Sequence, residues 1–452
     1  MPKVQISWLY DSASSLPNRD QNGRAKRAPY GGTQRQRISS QCYKSALRSA
    51  TYLVKSSENG DVQADNLIDL ATRYDLEMSV RSRAIFSRLV RERLIELGMD
   101  EETSAIWVEE GKAIFGKSKG QDEKSKKGEK TEDADNDEAQ VDDVTTDDGD
   151  VGAEKNKPGF TKQPLVLGRK EIEGITAVFM ALHQAGMSPK EAVTRITGKN
   201  NSKDEVSEAI ETFRSICGME GGNQSNLERG SKAGIDGVLF GRFATSDFVA
   251  NVDSSVHVAH LLGVTPMAAV SDYFTVQDSL LKGIESGGSH QNTVELASAL
   301  FLGTIVIDLG QLINNLGGYI EGDEVNNDRL TKTVAEIVAW LVRAIHTVNP
   351  AAKLGSTAPY GNVVESVVEI GRRMPHQHIL AFQNAIRPES LGDTDLASEA
   401  SRRLLAQVKE TGRKFGAQKH VMNLGAIETD EVPAYELLAE QARLAVLAEL
   451  TR

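Results

Sequence analysis

Cysteine is almost absent from this 452-residue chain, in which Cys42 and Cys217 are the only two. At most one disulfide can form, and two thiols cannot complete a structural zinc site without histidines, which favours a reducing compartment. Long apolar runs are also missing, because the most apolar stretch, residues 299–307, ends at Asp308. The first residues lack the cationic start and the apolar stretch of a signal peptide. We therefore predict a cytoplasmic protein without a membrane span.

The usual motifs of catalysis are missing as well. The sequence contains no GxSxG elbow, no Walker A loop, no GxGxxG fingerprint, no HExxH and no paired CxxC. His257 and His260 lie three residues apart, but helical histidines at this spacing are more often packed or solvated than bound to metal. Further conceivable ligands are His290, Glu295, His376 and His378. We expect no metal, no cofactor and no catalytic residue.

Net positive charge is absent overall, since 64 Asp and Glu outnumber 52 Lys and Arg and give a net charge of −12. Residues 131–154 alone contain eleven Asp and Glu and no Lys or Arg, so the rest of the chain is almost neutral. The surrounding residues 117–158 are nearly free of large apolar side chains, which predicts a disordered acidic insert. Residues 1–48, in contrast, hold nine Lys and Arg against two Asp. This local excess is an electrostatic footprint for a polyanion.

The basic N-terminal region is predicted to form a strand, a loop and a helix. Residues 4–10 alternate apolar and polar side chains over most of their length, as a half-buried strand does, and the Gly, Pro and Asn of residues 16–33 favour an irregular loop. A helix should follow, capped by Ser39 or Ser40. Three of its polar side chains recur with helical spacing and share one face: Gln41, Lys44 and Arg48. Composition alone would also fit a solvated basic surface.

The rest of the chain mixes helix and strand patterns, which predicts the α+β class. Helical periodicity is expected at residues 77–97, 170–185, 330–348 and 435–450, and strand character at residues 238–243, 273–276 and 304–308.

Separated motifs resemble a known family. The first consists of Asn-Arg-Asp at 18–20, Tyr-Gly-Gly at 30–32 and Arg-Gln-Arg-Ile-Ser-Ser-Gln at 35–41. The second consists of Gly-Ile-Asp at 234–236, Gly-Arg-Phe-Ala-Thr-Ser at 241–246 and Val-His-Val-Ala-His at 256–260. A third, weaker stretch runs from 272 to 316, and Pro-Ala-Ala-Lys follows at 350–353. In order and spacing, these motifs resemble the CasC family, the backbone subunit of the type I-E CRISPR complex called Cascade.

The resemblance implies an α+β fold with an RRM-like (ferredoxin-like) palm, a helical finger region and an extended hairpin thumb. The boundaries expected from it are 1–116 for the first part of the palm and the start of the fingers, 117–158 for the acidic insert, 159–263 for the rest of the fingers and palm, 264–298 for the thumb, and 299–452 for the C-terminal palm and helices.

The resemblance also implies a role. Copies of such a subunit polymerise along the CRISPR guide RNA, hold its phosphates and displace nucleotides at regular intervals, so the remaining bases pair with target DNA. The implied partners are the guide RNA, target DNA through the guide, other copies of the chain and other Cascade subunits. By position, the implied RNA contacts are Arg19, Lys26, Ser39, Gln41, Lys44, Arg48, Phe243, Thr275, Gln291 and Lys353.

Three of these positions would lie beside the displaced nucleotide: Phe243, Thr275 and Gln291. Phe243 fits a core position equally well, and Gln291 replaces a residue that is apolar in a relative. Two further functions stay open. Backbone subunits of type III complexes cut RNA with an acidic residue, for which Asp20 and Asp236 are the candidates here, and a generic RNA-binding protein would act as a monomer.

Overall fold

The computed structural model describes residues 1–55, 62–74, 76–115, 158–161, 163–197, 208–213, 233–243, 251–276, 290–350, 354–430 and 432–451. Almost all of the predicted acidic insert, residues 117–157, and the predicted RNA contact Lys353 lie outside these ranges. The chain forms two compact units. The first unit comprises Met1–Leu67, His257–Leu309 and Thr331–Arg452, and the second comprises Ile68–Val256 and Gly310–Leu330.

The strands are β1 (Lys3–Ser15), β2 (Arg27–Tyr30), β3 (Thr33–Ile38), β4 (Thr51–Lys55), β5 (Val62–Asn66), β6 (Ser79–Ser82), β7 (Leu165–Gly168), β8 (Val256–Val258), β9 (Leu261–Gly263), β10 (Ala269–Val276), β11 (His290–Asp308), β12 (Val363–Gly371) and β13 (His420–Asn423).

The α-helices are α1 (Ser40–Arg48), α2 (Leu67–Arg73), α3 (Arg91–Glu96), α4 (Glu101–Gly111), α5 (Arg169–Gln184), α6 (Pro189–Thr197), α7 (Ile235–Phe240), α8 (Leu309–Asn315), α9 (Glu324–Thr347), α10 (Leu354–Thr357), α11 (Leu396–Phe415) and α12 (Ala434–Leu450). A π-helical turn at Phe86–Val90 precedes α3, and 3₁₀ turns lie at Lys112–Phe115, His378–Phe382, Pro388–Ser390 and Leu424–Ala426. Within the described ranges, no helix is both long and apolar enough to cross a membrane.

The first unit is built on one antiparallel sheet. Its strands follow the order β13-β12-β1-β11-β9-β3-β2, and β10 extends from β11 outside this path. The pairs along this order are antiparallel. The mixture of this sheet with helices confirms the predicted combination of α and β structure.

Strand β1 lies in the middle of the sheet and is buried on both faces. Residues 4–10 are all buried, so the prediction of a half-buried strand was wrong. One face carries Trp8, whose ring lies 5.2 Å from that of Tyr43 on α1. The other face carries Leu9, which packs in one cluster with Phe382 and with Leu404 of α11. Because helices pack on both faces of the sheet at this strand, the polar residues of β1 are buried too.

The second unit has a mainly helical core that includes Phe86, Trp107, Phe179 and Phe213. Trp107 and Phe179 lie 5.7 Å apart between ring centroids, which fixes α4 against α5. Aromatic pairs at this separation contribute beyond their buried area. This aromatic packing contributes to the core of the second unit.

Most predicted elements are present, and three are corrected. The predicted helix at 77–97 begins as β6, which pairs with β7. The predicted strand at 238–243 begins inside α7, whose apolar residues reflect complete burial and not a strand pattern. The predicted irregular loop at 16–33 contains β2 and the turn to β3. The confirmed elements are the helices at 170–185, 330–348 and 435–450 and the strands at 273–276 and 304–308.

Candidate nucleic-acid interface

The loop after β1 has a defined structure and presents basic side chains. The Oδ1 atom of Asp20 accepts hydrogen bonds from the backbone N–H groups of Asn22 and Arg24, each at 2.9 Å. Arg19 forms an isolated β-bridge with Ala25. Arg19 is exposed in this arrangement. Asp20 therefore stabilises the loop that carries Arg19.

Asn18 joins this loop to the start of α1. Its side-chain oxygen accepts a hydrogen bond from the backbone N–H of Ser39 at 2.9 Å, and its carbonyl accepts one from the N–H of Lys26 at 3.0 Å. Asn18 is buried, so both bonds form away from solvent. The structure thus brings the segments of Arg19, Lys26 and Ser39 together. Asn18 belongs to the first motif, but nothing in the sequence assigned it this organising role.

The predicted cap of α1 is confirmed. Ser39 has an extended backbone, and its Oγ accepts a hydrogen bond from the N–H of Cys42 at 3.3 Å. Serine is favoured at this position because its oxygen satisfies a backbone donor of the first turn. Ser39 is itself buried. An RNA contact through its hydroxyl stays a prediction.

The polar face of α1 presents the three predicted side chains. Gln41 is exposed, and Lys44 and Arg48 are half-buried. Burial lowers the pKa of the Lys44 ammonium, and the nearby positive charge of Arg48 lowers it further. Two cations that are held near each other and partly desolvated disfavour their own charge, so an anion bound beside them is stabilised. This face suits an oxygen-bearing anion such as phosphate.

Part of the first motif has a structural role. Arg35 is completely buried, and its guanidinium donates to the carbonyls of Gly263 and Phe382, both at 3.0 Å, and to the hydroxyl of Thr33 at 2.7 Å. Gly31 and Gly32, with φ angles of +59° and +76°, form the two-residue turn between β2 and β3. Arg35 therefore joins β3 to the chain at Gly263 and Phe382, and the two glycines form the turn that precedes β3.

The described parts of the second motif at 234–236 and 241–243 lie in the second unit and have mostly structural contacts. Both side-chain oxygens of Asp236 accept hydrogen bonds from Ser79, one from its N–H at 2.8 Å and one from its hydroxyl at 2.6 Å. The guanidinium of Arg242 forms an almost fully buried ion pair with Glu171 at 2.5 Å. This pair anchors the chain where it leaves α7.

Phe243 follows this anchored arginine and points into solvent. Its side chain is 73% exposed, so the core interpretation is wrong. An exposed aromatic ring has a face on which a base can stack. The RNA contact itself stays a prediction.

The predicted thumb region contains a two-stranded ribbon. Strands β10 and β11 pair antiparallel from Ala269↔Ala297 to Val276↔His290, and Thr275 lies opposite Gln291. Residues 269–275 are exposed on both faces of β10, including Tyr273 at 59%. Residues 277–289 and the side chain of Gln291 lie outside the description. The ribbon therefore extends beyond the packed part of the sheet with Thr275 exposed.

Three of the histidines considered as metal ligands contact other protein groups in the structure. His378 is buried with its Nε2 at 2.6 Å from a carboxylate oxygen of Glu369, and the ring of His376 stacks on Phe415 at 4.3 Å. Nδ1 of His260 lies 3.0 Å from the backbone nitrogen of Ser40. Across the described residues, no group of three or more His, Cys, Asp and Glu side chains is placed to hold a metal ion.

Comparison with protein families gives a match over nearly the whole chain. The family model described as CT1975-like protein, Cas_CT1975, matches residues 4–450. The chain belongs to the CT1975-like family. This confirms the resemblance to a CRISPR-associated backbone family that the separated motifs indicated. A comparison with curated proteins finds no match.

Solved structures share the fold of this CT1975-like chain. A chain of a CRISPR RNA-guided surveillance complex, pre-nicking, is 19% identical with a TM-score of 0.64, covering 98% of this chain and 100% of that one. A chain of another CRISPR RNA-guided surveillance complex is 17% identical with a TM-score of 0.55, covering 98% and 99%. At these identities the likeness shows a common fold.

Proposed function

We propose that this CT1975-like chain is the backbone subunit of a type I-E Cascade complex in the cytoplasm. Copies bind side by side along the guide RNA and hold its phosphates. They displace nucleotides periodically, and the remaining bases pair with target DNA. The chain binds and positions RNA and is not an enzyme. Its partners are the guide RNA, target DNA through the guide, further copies of itself and the other Cascade subunits.

The observation that carries this proposal is the group of cations on α1 and on the loop that joins its start. Arg19 and Lys26 belong to a loop that Asn18 joins to the helix cap, and Lys44 and Arg48 share the half-buried polar face of the helix. Arg and Lys supply most protein contacts to phosphate, and such contacts carry no base preference. Sequence specificity then belongs to base pairing by the guide.

The remaining parts suit the same role. In this proposal the antiparallel sheet of the first unit serves as an RRM-like palm, the helices of the second unit as fingers, and the ribbon of β10 and β11 as a thumb. The exposed ring of Phe243 and the exposed Thr275 are suited to contacts beside a displaced nucleotide. The ten implied contacts therefore remain the candidate RNA-binding residues.

Native mass spectrometry of the purified chain with single-stranded RNAs of increasing length tests the assembly. Addition of subunits at a fixed nucleotide interval, whatever the RNA sequence, is the expected result. One protein per RNA at every length would instead favour a monomeric RNA-binding protein.

Salt dependence tests the phosphate contacts. If Arg19, Lys26, Lys44, Arg48 and Lys353 each engage one phosphate, the logarithm of RNA affinity should fall with the logarithm of salt at a slope of about −3.5 per subunit. Lys44→Met should reduce that slope by about 0.7. The matched control is Lys409→Met, which removes an exposed lysine of α11 and should change nothing. A slope near zero in the unmodified chain would contradict the electrostatic argument.

The ribonuclease alternative has no specific support in the geometry, since Asp20 and Asp236 each accept two hydrogen bonds from their own unit. Incubation of the assembled complex with complementary RNA and Mg²⁺ should leave the RNA intact. Cleavage that is lost in Asp20→Ala or Asp236→Ala would replace the proposed function with a nuclease.

A further inference from the structure

A cavity of about 440 Å³ lies in the first unit between the end of β12, the segment before β13 and the end of α12. Three cations line it, Arg372, Arg373 and Lys419, together with one carboxylate, Glu449. The lining is therefore positive overall. The proposed RNA-binding function uses none of these residues.

Arg373 is the distinctive side chain of this cavity. Only 8% of the side chain is exposed, and its Nη2 donates to Glu369 at 2.7 Å. Its Nε and Nη1 atoms are buried and have no hydrogen-bond partner among the described residues. A buried donor without an acceptor costs about 1–3 kcal/mol, and more when it is charged. The guanidinium of Arg373 keeps its positive charge beside the cavity, where an anion would be attracted to it.

The backbone around Arg373 is fixed by reciprocal hydrogen bonds. The N–H of Arg373 donates to Oε1 of Gln418 at 3.2 Å, and Nε2 of Gln418 donates to the carbonyl of Arg373 at 3.0 Å. Lys419, which follows Gln418 in the chain, donates from its Nζ to Oε1 of Glu449 at 2.5 Å, and this bond lowers the pKa of the Glu449 carboxyl. An ammonium has three donors, so this ion pair leaves Lys419 able to donate to a second acceptor. Arg373 and Lys419 are thus held in place before any ligand arrives.

We infer that this cavity is a binding site for a phosphate group. The exposed guanidinium of Arg372 offers two parallel donors to phosphate oxygens, and Lys419 adds a point charge. Either free phosphate or the phosphate of a polynucleotide backbone supplies the required oxygens. The inference does not depend on the proposed RNA-binding function.

The cavity is distinct from the cationic surface at α1. It lies at the β12 end of the sheet, whereas α1 follows β3, and four strand intervals separate these two strands in the order β12-β1-β11-β9-β3. At about 4.8 Å per interval, the two places are roughly 19 Å apart across the sheet. One phosphate group cannot occupy both.

The test uses the full-length chain with Lys44 and Arg48 both changed to Met, so that binding at α1 is suppressed. In one arm, inorganic phosphate is titrated and its ³¹P line width gives a dissociation constant. In the other arm, the anisotropy of a short fluorescent single-stranded DNA is followed. Arg372→Met and Lys419→Met are added separately, and Lys409→Met, on α11 outside the cavity lining, is the control.

At least one of the two ligands should bind, with Arg372→Met and Lys419→Met each weakening it by fivefold or more and Lys409→Met by less than twofold. Response to phosphate in this pattern identifies a free-anion site, and response to DNA alone identifies a backbone contact. Arg373→Met should abolish binding, but it also removes the bond to Glu369, so circular dichroism must show that it is folded. The inference would be overturned if neither ligand binds, or if Arg372→Met and Lys419→Met leave the affinity unchanged.

Discussion

Replacing Arg35 tests whether the conspicuous arginine of the first motif supports the fold or contacts RNA. In the structure its guanidinium is buried and donates to the carbonyls of Gly263 and Phe382. Arg35→Met removes both donors while keeping an apolar stem of similar length. The two carbonyls then lose this charged partner in a place that water does not reach.

The expected loss follows from those two acceptors. A buried polar group left without its partner costs about 1–3 kcal/mol, so two such groups should lower the free energy of unfolding by about 2–6 kcal/mol. With an m-value of about 3 kcal/mol/M, the urea midpoint should fall by about 0.7–2 M. Arg35→Lys should recover less than half of this loss, because one ammonium cannot reproduce the planar fork that spans both carbonyls.

Urea unfolding followed by circular dichroism measures the midpoint, and RNA affinity is measured at a temperature where the variant is folded. We expect Arg35→Met to bind RNA within about threefold of the unmodified chain, whereas Lys44→Met should lose affinity without a shift in the midpoint. An unchanged midpoint together with a large loss of RNA affinity in Arg35→Met would refute the reasoning, because Arg35 would then be an RNA contact.

Three other predictions concern stability. Gly31→Ala should destabilise the fold by more than about 3 kcal/mol, because its φ is +59° and the added Cβ would lie 1.6 Å from the carbonyl oxygen of Gln383. Gly32→Ala has open space around the added Cβ and a φ of +76°, so it should cost only about 1–2 kcal/mol in urea unfolding. Burial lowers the pKa of His346 to about 4 from an unfolded value of 6.5, so protons bind the unfolded state preferentially. The free energy of unfolding should therefore fall by about 3 kcal/mol as pH drops from about 6.5 to 4. His346→Gln should remove this part of the pH profile. Arg242→Met should cost about 3–5 kcal/mol by leaving Glu171 as a buried charge, and the double variant with Glu171→Gln should recover much of that loss in thermal unfolding.

Features that depend on residues close together in the sequence were predicted correctly. The cap at Ser39 and the shared face of Lys44 and Arg48 depend on residues within a few positions of each other, so their spacing is sufficient to predict them. The same holds for α5, whose buried stripe follows helical periodicity.

Contacts between distant segments were beyond the reach of sequence patterns. Arg35 has the same residue type as a phosphate contact, and only its partners at positions 263 and 382 show that it is structural. Phe243 was ambiguous for the same reason, since exposure depends on what the rest of the unit covers. The cavity at Arg373 joins residues near positions 372, 418 and 449, and no motif connects them.

The central position of β1 also has a consequence for the order in which the chain acquires structure. The neighbours of β1 in the sheet are β11 and β12, so Lys3 pairs with Asp308 on one side and with Gly371 on the other. During synthesis the first strand leaves the ribosome long before either neighbour exists, with an apolar surface that has nothing to cover it. Pairings of such high sequence separation are slow to form and expose strand edges in the meantime. The sheet around β1 therefore closes late, because its second neighbour is complete only after about 370 residues have been translated.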